Sequence, residues 1–440
     1  MDKKLSTGKI VSVSLMLFAM FFGAGNMIFP PMVGYLGGEN FVQGIIGFMV
    51  TDAGLSILGI AAIVFAGTHL NDLGGLIGPK FSIFLGLTIY MLIGPLFALP
   101  RTGTVSYEIA AIPFLGEHAG VISSVIFTLI FFALTYFLSL NPSKVVDIVG
   151  KVLTPVLLLS IAIIFVLSLV KPLGTIDVAE GDYATMPFFK GIVEGYLALD
   201  GMAALAFAIV VITAIKDMGV TSPGGIVKYT VFCGIFAGIA LGVVYLALGF
   251  VGAQVSGETG FTNGGAILAS IVNRQMGFFG NGVLGVAVVL ACLTTAIGLS
   301  TSFSGYVHEL KPSWSYKSIL TVVVLFSFAV SNIGLSQMIT ITLPALVMIY
   351  PPIVTLVLLS FAKKFIKDNK ESYVLAMLFA FIIGIFDGLK TAGIKLDGAY
   401  ELLSSWIPFY DLGIGWIVPA IIGALIGLLP FVKFFKRKDS

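Results

Sequence analysis

The chain has 440 residues, of which 58% are hydrophobic and 10% are charged, and its mean hydropathy is +1.08. This composition excludes a globular enzyme with one membrane anchor and predicts a polytopic helical protein embedded in a lipid bilayer. The net charge of +2 excludes nothing by itself. The two cysteines, Cys233 and Cys292, lie in apolar runs and therefore indicate neither a disulfide framework nor a metal site.

Apolar windows long enough to cross about 30 Å of hydrocarbon predict about twelve transmembrane helices in one transmembrane domain, residues 1–440. The windows are 9–36, 41–67, 81–111, 120–139, 144–170, 188–215, 226–252, 283–307, 318–333, 336–362, 372–389 and 413–433. The longer connections, at 171–187, 253–282 and 390–412, are poor in Lys and are predicted to be external loops.

The distribution of positive charge predicts the orientation. An even number of spans places both termini on one side of the membrane, and most of the Lys and Arg residues fall on that side. The basic C-terminal end contributes Lys433, Lys436, Arg437 and Lys438 to this excess. Both termini are therefore expected to be cytoplasmic.

The first span contains a stretch that a regular helix does not accommodate. Gly23-Ala24-Gly25-Asn26 lies near its middle, and Pro30 and Pro31 then remove two backbone donors. Opened backbone at this depth is tolerated only against protein or a water-filled cavity. The freed N–H groups suit a carboxylate and the freed carbonyls suit an ammonium group or a cation, so the stretch predicts a site for a zwitterionic amino acid. The alternative is a glycine kink packed against a neighbouring helix.

The sixth span carries Asp200 followed by Gly201, five spans after the first break. This spacing predicts an inverted repeat of five helices, with repeat one at about 9–170, repeat two at about 188–362 and extra helices at about 372–433. An ionised carboxylate at mid-depth is expected to be functional, and a hydrogen-bonded structural acid is the alternative.

The eighth span offers uncharged oxygen ligands. Thr294 and Thr295 supply hydroxyls and Ala291 a carbonyl, a set that suits a hard monovalent cation. In the alternative interpretation the threonines bond back to carbonyls of their own helix.

The third span places Arg101 and Glu108 two turns apart on one helical face. They either line the transport pathway or belong to a structural ion network. Tyr107 either donates its hydroxyl to a substrate carboxylate or anchors the span at the interface. Glu194 lies nearer the outer end of the sixth span, within reach of the interface.

Two motifs resemble the bacterial branched-chain amino acid:cation symporter family, the LIVCS or BrnQ-type carriers. They are Phe22-Gly23-Ala24-Gly25-Asn26-Met27-Ile28-Phe29-Pro30-Pro31, and Leu99-Pro100-Arg101-Thr102-Gly103 with Tyr107-Glu108. The similarity covers essentially the whole chain. The stretch from Gly23 to Asn26, together with Ala291-x-x-Thr294-Thr295, is also similar to the first and eighth helices of the sodium-coupled leucine transporter.

This resemblance implies an all-α polytopic membrane protein with a five-plus-five inverted repeat and broken helices one and six. It further implies import of leucine, isoleucine and valine together with sodium across the bacterial cell membrane by alternating access. The alternatives are a proton-coupled symporter of the same fold and an intramembrane enzyme. We expect no cofactor beyond the coupling ion, no nucleic acid and no obligatory protein partner.

The resemblance also implies the roles of individual residues. In the substrate site, the Ala24 and Gly25 amides would meet the carboxylate, the Phe21 carbonyl would meet the amine, and Leu299 would touch the side chain. Asn26 and Tyr107 complete the expected substrate-binding set, and Asp200 would bind the amine, replace a sodium ligand or carry a proton. The expected sodium ligands are the carbonyls of Ala19, Phe22 and Ala291 and the hydroxyls of Thr294 and Thr295.

Overall fold

The computed structural model describes residues 4–67, 69–75, 77–141, 146–366, 369–429 and 432, and within them a helix lies in each predicted window. By length and hydropathy, eight helices of this described part are able to cross a membrane, or nine when one bent pair is counted as a span. The predicted all-α polytopic fold is confirmed. The four basic residues of the C-terminal end lie outside the described residues, and the repeat boundaries stay a prediction.

Wide π-turns interrupt several helices of the first half. They occupy Val50–Gly54, Leu92–Leu96, Tyr107–Ala111 and Val146–Leu153. The α-helices of this half are α1 (Thr7–Phe21), α2 (Ala24–Gly37), α3 (Phe41–Met49), α4 (Leu55–Ala66), α5 (Leu70–Gly75), α6 (Pro79–Met91), α7 (Ala98–Ser106), α8 (Ile112–Leu115), α9 (Val121–Ser139) and α10 (Thr154–Val170).

The second half contains the longest helices of the described residues, up to the 47 residues of Gly264–Leu310, which is kinked at Gly277. Its helices are α11 (Asp182–Thr185), α12 (Pro187–Ala198), α13 (Asp200–Asp217), α14 (Pro223–Ala253), α15 (Gly264–Leu310), α16 (Tyr316–Ser331), α17 (Leu335–Phe361), α18 (Lys363–Ile366), α19 (Lys370–Thr391), α20 (Asp397–Trp406) and α21 (Ile417–Gly427).

All three predicted external loops are partly helical, so the loop assignment is wrong in those parts; the connection 171–187 contains α11. In the connection 253–282, α15 begins at Gly264, where the Asn263 side chain caps the helix by accepting from the Ala266 amide at 2.9 Å. This early helix ends in a kink at Gly277, whose φ of 59° favours glycine. A search for spans of about twenty apolar residues passes over such short helices. The connection 390–412 likewise contains α20.

Burial separates central helices from peripheral ones. In the most apolar window of α15, 67% of the residues are buried inside the protein. In the corresponding window of α9, the buried share is 22%. The side chains of α9 that point outwards are apolar, including Phe137 at 65% exposure, as expected for a helix that faces lipid. The helices α1, α2, α13 and α15 form the centre, and the two predicted breaks lie there.

Candidate functional site

The first span is broken between α1 and α2. Phe22 and Gly23 are not helical, and the Gly23 N–H donates to the side-chain oxygen of Asn26 at 3.1 Å. The prolines do not make the break, because Pro30 and Pro31 both lie inside α2. They leave carbonyls one turn earlier without a partner, which adds unpaired polar backbone next to the break. Because the first amides of a helix have no carbonyl one turn earlier, the N–H groups that begin α2 remain available to a ligand.

The sixth span is broken between α12 and α13, which meet at an angle of 45°. Leu199 forms the joint in the left-handed region with a φ of 77°, a conformation that costs a residue other than glycine about 1–2 kcal/mol. Asp200 is the first residue of α13, so its carboxylate lies at the positive end of that helix dipole.

The two breaks face each other across a short distance. A Cβ atom added to Gly25 would lie 3.1 Å from the Cα atom of Ala198, so a larger residue would require the two breaks to move slightly apart. Between the breaks is a cavity of about 20 Å³, room for about one water molecule. Six of the seven residues predicted to bind substrate line it, namely Phe21, Ala24, Gly25, Asn26, Asp200 and Leu299. A branched-chain amino acid requires this cavity to widen.

Four polar side chains from four spans meet beside the cavity. The Asn26 amide nitrogen donates to the Asp200 carboxylate and to the Tyr245 hydroxyl, both at 2.6 Å, and lies 3.4 Å from the Asp52 carboxylate. The Tyr245 hydroxyl in turn donates to Asp52. The Tyr245 hydroxyl also lies 3.5 Å from the Asp200 carboxylate. All four side chains are buried, with at most 4% exposure.

This acidic pair requires a positive charge or a proton. Two carboxylates taken out of water at close range do not both stay ionised without a counter-charge. Within the described residues, neither Asp52 nor Asp200 forms an ion pair, and one oxygen of Asp52 accepts no hydrogen bond from them. The pair is therefore suited to a proton, a monovalent cation or a substrate amine.

Four of the five predicted sodium ligands come together where α15 contacts α1. The Thr294 hydroxyl donates to the Ala19 carbonyl at 2.7 Å and to the Ala291 carbonyl at 3.0 Å. The Thr295 hydroxyl reaches the carbonyls of Met20 at 2.8 Å and Ala19 at 3.5 Å. Thus both threonines bond across to α1 and Thr294 also bonds within its own helix, so uncharged oxygens from two helices lie close together, which fits a hard monovalent cation.

Phe22, the fifth predicted sodium ligand, has no described contact with the oxygens of the other four. Phe22 lies in the break, and its ring stacks on Phe18 with centroids 5.4 Å apart. The carbonyl within reach of Thr295 is that of Met20, which was not predicted.

Of the remaining candidates, only Arg101 reaches the cavity. Its guanidinium donates to the carbonyls of Leu197 and Ala198, both at 3.4 Å. The Tyr107 hydroxyl instead bonds the Ser123 hydroxyl at 2.7 Å and the Gly120 backbone, so the structure does not bring it to the predicted substrate site.

The other acidic candidates lie away from the cavity lining. Glu194 pairs with Lys190 on α12 at 3.2 Å, with 22% of its side chain exposed. Glu108 lies in the π-turn Tyr107–Ala111 and does not line the cavity.

The sequence model of the family described as "Branched-chain amino acid transport protein" matches residues 6–433. The chain belongs to this family. The transporter is 43% identical to the branched-chain amino acid permease BrnQ of Bacillus subtilis (strain 168), with all of both chains covered. It is 37% identical to the branched-chain amino acid transport system 2 carrier protein of Pseudomonas aeruginosa, over 96% of this chain and 95% of the carrier. The family consists of bacterial permeases rather than enzymes.

Solved structures show the same fold at low sequence identity. The crystal structure of MhsT in complex with L-phenylalanine superposes with a TM-score of 0.57 at 15% identity and covers 97% of the transporter and 99% of MhsT. A Na+-coupled sialic acid symporter gives a TM-score of 0.63 at 14% identity, with coverage of 95% and 89%. The predicted leucine-transporter-like fold is thereby confirmed.

Proposed function

We propose that this protein is a secondary active symporter that imports leucine, isoleucine and valine with sodium by alternating access. The observation that carries the proposal is that one broken helix serves both sites. The Ala19 carbonyl before the break belongs to the set of oxygens suited to sodium, while Ala24 and Gly25 after the break line the central cavity. Cargo and ion bound so close together stabilise the same conformation, which is what coupling requires.

The lining of the cavity supports a small aliphatic amino acid as substrate. Ile93, Phe207 and Leu299 provide apolar walls, and the free N–H groups at the start of α2 provide a place for a carboxylate. The relatives named above are permeases and carriers of branched-chain amino acids. Since a missing methylene changes binding in an apolar pocket by only about 1–3 kcal/mol, the three substrates should compete with one another.

The driving force for uptake depends on the net charge that crosses the membrane with each substrate molecule. A zwitterion with one sodium ion carries one net positive charge, and a membrane potential of 100 mV contributes about 2.3 kcal/mol to its entry. That corresponds to about 50-fold accumulation before the sodium gradient is added.

Uptake of radiolabelled leucine into proteoliposomes tests the coupling ion. With pH held constant, replacing external sodium by N-methylglucamine should abolish accumulation, and restoring sodium should recover it. Undiminished uptake without sodium would contradict the sodium proposal.

The same fold with proton coupling is the second candidate, because Asp52 and Asp200 both lie within hydrogen-bonding distance of Asn26 and Tyr245. In this version one proton neutralises one of the two carboxylates. An imposed pH gradient at zero sodium should then drive leucine uptake in the wild type and fail to do so in Asp52→Asn. Absence of uptake in the wild type under this gradient eliminates the candidate.

A further inference from the structure

The third span is broken as well as the first and the sixth. At Gly94, next to Pro95, the backbone leaves the helical region with φ −84° and ψ −120°. The new helix α7 then begins at Ala98, and the Arg101 amide donates to the Phe97 carbonyl at 3.2 Å in its first turn. The break therefore aims Arg101 at the cavity between α1–α2 and α12–α13.

The guanidinium of Arg101 is poorly satisfied where it lies. It offers five N–H donors, yet its two hydrogen bonds, to the carbonyls of Leu197 and Ala198, are both 3.4 Å long, beyond the usual 2.7–3.2 Å. Its Nε atom is buried and has no partner among the described residues. A half-buried cation with unused donors, one of them fully buried, indicates an acceptor that binds from the cavity.

The place for that acceptor is the start of α2. A Cβ atom added to Gly25 would lie 3.1 Å from an Nη atom of Arg101, so the guanidinium faces the same space as the first amides of the helix. A planar carboxylate matches both the fork of an arginine and a helix N-terminus. Asp200 lines the same cavity and carries a charge opposite to that of Arg101.

From this geometry we infer that Arg101 binds the α-carboxylate of the amino acid together with the amides of Ala24 and Gly25, while Asp200 receives the amine. The inference rests on the proposed function and deepens it, because it makes a free carboxylate the feature that the transporter requires of its substrate. Arg101 thus takes the role that the sequence predicted for Tyr107, whose hydroxyl is engaged with Gly120 and Ser123.

Equilibrium binding to the purified full-length protein tests this role with two probes. Leucine carries the carboxylate, whereas leucinamide keeps the side chain and amine but lacks that charge. For the wild type in sodium, isothermal titration should give a dissociation constant roughly 10- to 100-fold lower for leucine than for leucinamide, as expected for charge-assisted hydrogen bonds. In Arg101→Gln the two constants should approach each other through weaker leucine binding, and Arg101→Lys should be intermediate because the charge remains without the fork.

The ratio of the two constants separates recognition from structure. If Arg101 only supports α12, Arg101→Gln weakens both probes equally and lowers the melting temperature, and the inference is overturned. Arg274→Gln is the control, because it removes an ion pair with Glu258, at 2.5 Å, that lies away from the cavity. This variant should keep the wild-type ratio of the two dissociation constants. If the wild type binds neither leucine nor leucinamide, the proposed function fails. If it binds leucine and Arg101→Gln keeps the preference, only the role of Arg101 fails.

Discussion

At the scale of single residues, the polar cluster beside the cavity carries most of the chemistry. Asn26 was predicted from the glycine-rich break and Asp200 from an acid at mid-depth, and the structure joins them at 2.6 Å. Asp52 gives the same kind of signal, an acid inside an apolar window. Its place in the cluster depends on Asn26 and Tyr245 arriving from other spans, and spacing along the chain does not reveal such contacts.

Asp200→Asn should reduce concentrative leucine uptake at least tenfold, because the amine or coupling cation loses its counter-charge inside a site that excludes water. Proteoliposome uptake at matched protein content measures this. Asp147→Asn removes an exposed carboxylate that pairs with Lys151 on the helix surface, and it should transport normally. Near-normal accumulation by the Asp200 variant would restrict that residue to a structural role.

Replacing Thr294 and Thr295 by alanine should raise the sodium concentration for half-maximal uptake about tenfold or more, since two oxygen ligands are removed from the ion. The affinity for leucine at saturating sodium should change little. Thr321→Ala serves as the control, because its hydroxyl bonds the Lys317 carbonyl on an exposed surface. An unaltered sodium dependence of the double variant would remove α15 from the ion site.

At the scale of helices, the positions of the breaks in the first and sixth spans could be predicted from the sequence, but the residues that cause them could not. Gly23 to Asn26 and the Asp200-Gly201 pair both lie at real interruptions, as two small or polar residues in an apolar span indicate. The prolines lie within α2, and the left-handed residue of the second break is a leucine, which no propensity would select. At the break at Gly94, which directs Arg101, the following Pro95 disfavours helical backbone, and an added Cβ atom would lie 2.9 Å from the Phe303 ring.

Gly23→Ala tests the contact between the first break and α15. A Cβ atom there would lie 2.6 Å from the Thr295 hydroxyl oxygen, so the helices must move apart at a cost of about 1–3 kcal/mol. We expect a lower melting temperature and a several-fold higher sodium requirement for uptake. Gly8→Ala, in the same span with open space around it, should leave the sodium requirement unchanged. Equal behaviour of the two variants would contradict a tight ion site between α1 and α15.

At the scale of the whole molecule, two larger cavities flank the closed central one. The first, of about 360 Å³, is lined by Val210 and Ser302, and the second, of about 180 Å³, by Tyr196 and Leu197. Along the sixth span, Tyr196 and Leu197 precede the residues that line the central cavity, and Val210 follows them. The cavities thus lie beyond it in opposite directions, as two vestibules of an alternating-access cycle would.

Cysteine labelling can follow this cycle. In a Cys233→Ser, Cys292→Ser background, Val210→Cys reports on the larger vestibule and Leu346→Cys on the smaller one. Adding sodium and leucine should change the two labelling rates in opposite directions, because opening one side closes the other. Rates that rise or fall together would argue against alternating access.

The central claim is that the broken first helix holds the amino acid and its ion as neighbours, and reciprocal binding tests it most directly. We predict that saturating sodium lowers the dissociation constant for leucine on the purified protein, and that saturating leucine lowers the dissociation constant for sodium by the same factor, as linkage requires. A leucine dissociation constant that is identical in sodium and in N-methylglucamine at fixed pH would contradict the account.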